Sequence, residues 1–104
     1  MRENTYIYKQ TEDYTCYIVE ADEIVFLHFN SDKMTPSILR DITAEFRGIL
    51  DHFSDLGHEL IFSTVANPKV LKLCYKVGTP YDVRKINHMD EKYWVVAWET
   101  GLEV

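Results

Sequence analysis

The chain has 104 residues, 46% of them hydrophobic and 13% aromatic, which suits one globular domain over residues 1–104 and excludes intrinsic disorder. Its formal net charge of −6 excludes a general nucleic-acid binder, because phosphate contacts need a basic patch. No apolar run approaches the length of a membrane span, and Met1-Arg2-Glu3-Asn4 lacks the apolar core of a signal peptide. Cys16 and Cys74 are too few for a disulfide framework and sit among apolar neighbours, so reduced thiols and a cytoplasmic setting are expected.

The first 30 residues read as three strands. Thr5 to Lys9 places Tyr6 and Tyr8 on one face, and Glu12-Asp13 makes a turn. Thr15 to Glu20 sets Cys16 and Ile18 against Tyr17 and Val19, and Ala21-Asp22 turns again. Ile24 to Phe29 is apolar on both faces, so a central strand covered on both sides is expected there. Short turns between the three predict an antiparallel meander.

The period then changes. Ile38, Ile42, Phe46, Ile49, Phe53 and Leu56 recur every three or four residues, as on one face of a helix, while Asp41, Glu45, Asp51 and Asp55 occupy the other faces. Thr35 serves as N-cap, Pro36 as the first helical residue and Gly57 as the stop. Leu60 to Val65 reads as a further strand buried on both faces. Asn67-Pro68 repeats the cap-and-proline start for a short helix with Val70, Leu71, Cys74 and Val77 on its apolar side, ending at Gly78. Tyr81 to Asn87 and Tyr93 to Trp98 flank a turn at Met89-Asp90 and form a final hairpin. The order is β-β-β-α-β-α-β-β, an α/β (α+β) arrangement. A right-handed crossover would set the two fully apolar strands parallel and near the sheet centre.

This order, with Asn67-Pro68-Lys69-Val70-Leu71-Lys72-Leu73-Cys74-Tyr75-Lys76-Val77-Gly78 in the second helix, resembles the GNAT acetyltransferases, and above all the short, divergent GNAT-like proteins of tailed phages. The resemblance covers roughly residues 4–100 and lacks the family's usual first strand and first two helices. It implies a mixed sheet, a site for acetyl-CoA, and a Tyr in the second helix that protonates the departing thiolate. Two departures stand out. Where the family has a glycine-rich pyrophosphate loop, this chain has Asn30-Ser31-Asp32-Lys33-Met34-Thr35-Pro36-Ser37, with no glycine and a proline that lacks an N–H. The family's Tyr aligns with Cys74, and Tyr75 lies about 100° further round the helix.

Together these imply a degenerate, non-catalytic GNAT-fold protein that works through protein contacts, as a homo-oligomer or as a phage virion or host-interaction component in the host cytoplasm. A minimal acetyl-CoA-dependent N-acetyltransferase is the alternative. In that case Lys33, Ser37, Phe62, Thr64 and Asn67 would bind the coenzyme, and Tyr75 or Cys74 would act as the acid. A third reading is a phage inhibitor of a host defence protein that docks through the acidic face Asp41, Glu45, Asp51 and Asp55. Tyr6, Tyr8, Tyr14, Tyr17, Tyr93, Trp94 and Trp98 supply aromatic surface for self-association. His52 and His58, with Asp51, Asp55 and Glu59, form the one His-carboxylate cluster, which reads as a solvated helix end without metal. His28, inside an apolar strand, reads as a hydrogen-bonded core histidine or as a base near the cleft. His88 sits beside the last turn.

Overall fold

A computed structural model describes residues 3–31, 33 and 35–102, and all of them but the His88 side chain. The expected features at Met1-Arg2, Asp32, Met34 and the His88 side chain lie outside the described residues. The elements are β1 (Glu3–Gln10), β2 (Thr15–Ala21), β3 (Ile24–Asn30), α1 (Pro36–Asp55), β4 (Leu60–Val65), α2 (Pro68–Val77), β5 (Asp82–His88) and β6 (Glu91–Glu99). Their order follows the alternation of period along the sequence, with boundaries moved by at most two residues.

The six strands form one mixed sheet in the order β1-β2-β3-β4-β6-β5. β1, β2 and β3 are an antiparallel meander, and β5 and β6 an antiparallel hairpin. β3 and β4 are parallel and lie at the middle of the sheet, as the crossover through α1 requires. The β2–β3 turn falls at Asp22-Glu23 and the β5–β6 turn at Met89-Asp90, and in both turns the two central residues have positive φ. That backbone matches the twist of a two-residue hairpin. Neither turn contains glycine, so the strands hold four side-chain-bearing residues in a conformation they disfavour.

Both helices are capped as their sequences demand. The Thr35 hydroxyl accepts from the Ile38 amide at 3.2 Å, and the Asn67 side chain accepts from the Lys69 amide at 2.9 Å. Gly57, at φ 93°, supplies the left-handed residue just beyond α1. The stripe Ile38, Ile42, Phe46, Ile49 and Phe53 is buried against one face of the sheet. There Phe46, Ile49 and Phe53 meet Cys16, Ile18, Val25, Leu27, Ile61, Val65, Val96 and Trp98, while Ile38 and Ile42 cluster with Tyr14. Leu71, Cys74 and Val77 of α2 pack against the first of these clusters. Both helices therefore lie on one side.

The opposite face differs from what the sequence led us to expect. β3 and β4 are central, but they are covered on one side only. Ile24 is 45% exposed, Phe26, His28 and Phe62 are half-buried, and Thr64 is exposed. Their apolar character continues across the sheet through Tyr17 and Val19 of β2 and Tyr93 and Val95 of β6, with no helix of the described chain over them. The aromatic residues are also distributed differently. Tyr6, Tyr8, Tyr14 and Trp98 belong to the helix side, Tyr14 and Trp98 at 5% and 4% exposure, and only Tyr17 and Tyr93 of those named look outward. β6 is an inner strand, which is why Trp98 is buried.

Candidate functional site

The parallel pair at the sheet centre makes few main-chain contacts. β3 and β4 are bridged at Phe26 and Phe62, and next to that bridge a side chain takes over: the Ser63 hydroxyl donates to the Leu27 carbonyl at 2.9 Å. The same hydroxyl accepts from the Trp98 indole N–H at 3.3 Å. Over this junction, between the start of α1 and the length of α2, lies a cleft of about 270 Å³. Leu27, Phe29, Leu39, Ile42, Phe46 and Leu73 line it with apolar surface beside Cys74 and Trp98, and Asn30, Ser31 and Ser63 are its polar groups among the described residues. Among the described residues no ionised side chain lines it. Its described lining suits a slender, uncharged chain.

The residues singled out from the sequence divide across the molecule. Cys74 lines the cleft, and burial raises the pKa of its thiol above the ordinary value. A thiol shifted in that direction is a poor nucleophile and a poor proton donor near neutrality. Cys16, in the core, is pushed up to about 12 by burial. Tyr75, the next residue on α2, points away and is 55% exposed, as the rotation per residue dictates. Phe62 and Thr64 project from β4 to the uncovered face, opposite the cleft, because Ile61, Ser63 and Val65 take the helix-facing phase. Asn67 spends its side-chain oxygen on its own helix. Lys33 and Ser37 are exposed.

The start of α1 tests the fit to a pyrophosphate. Pro36 has no N–H, the Ile38 amide donates to Thr35 Oγ1, and the Leu39 amide donates to the Thr35 carbonyl at 2.9 Å. Among the described first-turn groups, Ser37 alone keeps an amide for a ligand. A cradle needs several converging amides, so the described first turn does not by itself hold the phosphate end of a coenzyme, although the apolar cleft would take its slender arm.

The histidines do not converge. His28 stacks on the Tyr17 ring, with centroids 5.0 Å apart at 23°, on the face opposite the cleft. Burial lowers its pKa from the ordinary value, so it is neutral at pH 7. It is a stacked histidine rather than a hydrogen-bonded core one. His52 packs edge-on to Tyr8 and Phe53, and His58 edge-on to Phe53. Among the described residues no three His, Cys, Asp or Glu side chains are grouped as metal ligands, and no helix is long and apolar enough to cross a membrane. On the acidic face of α1, Glu45 is paired with Lys9 at 2.8 Å, while Asp41, Asp51 and Asp55 stay exposed.

Ser63 and Leu73 are cleft residues that the reading of the sequence passed over. Ser63 carried a usable signal, being the one polar residue in phase with Ile61 and Val65 on a strand facing a core. No family model, curated protein or solved structure matches the chain.

Proposed function

We propose that this protein is a GNAT-type scaffold without the transferase chemistry, and that it acts through protein contacts made by the uncovered face of its sheet. The observation that carries the reading is the one-sided placement of α1 and α2, which leaves the other face apolar across all four inner strands. Apolar faces of this extent mark contact surfaces. The strand order around the parallel pair, with the cleft above it, supports the GNAT-type scaffold. The single unengaged amide among the described residues of the first turn of α1, the high-pKa Cys74 and the outward Tyr75 support loss of chemistry. A component of a phage virion, or a phage protein that engages a host factor, is the setting this reading favours.

A minimal acetyl-CoA-dependent N-acetyltransferase is the second reading, favoured by the cleft at the β3–β4 junction. A thiol-release assay with acetyl-CoA and a panel of amines and peptides separates the two. The scaffold reading expects no turnover above the uncatalysed rate. Turnover that Cys74→Ala or Tyr75→Phe abolishes would replace it with the enzyme.

A further inference from the structure

The identity of the partner rests on the reading of the protein as a contact-making scaffold. We propose that the uncovered face of the sheet is the interface with a second copy of this chain, the two sheets packed face to face.

The size of the face suits this. Six strands at about 4.8 Å and three rows of outward residues at about 6.8 Å span roughly 29 by 20 Å. That is about 600 Å² per copy in projection and about 1,200 Å² for the pair, enough for a specific interface. The layout suits a two-fold axis as well. The β3–β4 seam has three strands on either side, and the Phe26 and Phe62 rings sit on it with centroids 6.0 Å apart. An axis along this seam lays the β1–β3 half of one copy over the β4–β6–β5 half of the other, so neither half is left bare.

Charge selects the occupant. Each copy carries a net charge of −6, and much of the acid lies on α1 and on the turns at Glu12-Asp13 and Asp22-Glu23. The middle of the face, from Val19 to Val95, carries no ionised side chain, because His28 is neutral at pH 7. On the outermost strand β5, Arg84 is already held by Asp82 at 2.8 Å. A partner recognised by charge finds nothing to read here. Two like-charged copies, in contrast, approach most cheaply through a face whose middle bears no charge and whose charged groups lie at its margins. Pairing edge to edge is opposed by the irregularity between Ile7 and Lys9 on β1, and by the charged residues of β5.

Sedimentation velocity of the whole chain, from micromolar to submillimolar concentration and from low to high salt, tests the proposal. A monomer–dimer equilibrium is expected, and added salt should tighten it by screening the repulsion between copies. Ile7→Glu and Thr64→Glu, both at exposed positions of the face, should each weaken the dimer about tenfold or more. Glu45→Gln and Arg47→Gln together, on α1 and with no change in net charge, should leave it unchanged. Unaltered circular dichroism of the two face variants will show that folding is intact. A wild-type chain that stays monomeric, a dimer that survives both face substitutions, or a dimer that salt dissociates would each overturn the proposal. A monomer would leave the contact reading standing with a different partner, whereas acetyl transfer would remove the contact reading itself.

Discussion

The two faces of the sheet share every strand and differ in what lies against them. On one, α1 and α2 complete a core in which Cys16, Ile18, Ile61 and Val96 are fully buried. On the other, Phe26, Phe62, Tyr17 and Val95 shield one another only partly, through cross-strand neighbours, and Ile7 stays 58% exposed. The covered face holds the fold together. The uncovered face leaves its apolar surface without a helix of the described chain over it. An apolar residue thus means different things on the two sides, and substitutions should report the difference.

The largest contrast is between two phenylalanines. Phe53→Ala empties a fully enclosed site under α1 and should cost about 3–5 kcal/mol in urea unfolding, whereas Phe62→Ala, on the uncovered face, should cost less than half as much in the monomer. Equal costs would mean that the uncovered face is part of the core. Thr35→Ala removes the hydroxyl that holds the first turn of α1 over that core and should cost about 1 kcal/mol by the same measurement.

The pH dependence should locate His28. Its folded-state pKa is lowered by burial, so the unfolded chain binds the proton more readily. Stability should be level above the ordinary histidine pKa of about 6.5 and fall as pH drops from there through the lower folded value. His28→Phe should reduce that loss, and an unchanged profile would show that other groups carry it. The smallest effect expected on folding is that of Ile7→Glu, which should change monomer stability by no more than about 0.5 kcal/mol because the side chain is exposed.

The same contrast explains what could be read from the sequence. Every element was legible, because each period matches its structure and because Thr35-Pro36 and Asn67-Pro68 mark both helix starts. The parallel placement of β3 and β4 followed from the crossover. Coverage was not legible. Ile24 to Phe29 is apolar in both phases, and such a strand reads alike whether a helix of its own chain, another molecule or nothing lies over the second phase. The different directions of Cys74 and Tyr75 followed from helical rotation, but the cleft at Cys74 forms where α1, α2 and the β3–β4 junction meet, elements far apart in sequence, which no local pattern encodes. Tyr14 was read as surface, yet it is held against Ile38, Ile42 and Phe29 because its carbonyl accepts from Thr11 and folds the preceding turn inward.

Calorimetric titration with coenzyme A and acetyl-CoA, with thermal melting alongside, tests the central claim most directly, since a ligand of the native state must raise its melting temperature. A scaffold that acts through its uncovered sheet face should give no binding heat and no shift in melting up to millimolar ligand. Micromolar binding with a matching rise in melting temperature would contradict the account and make the cleft at Cys74 the working site.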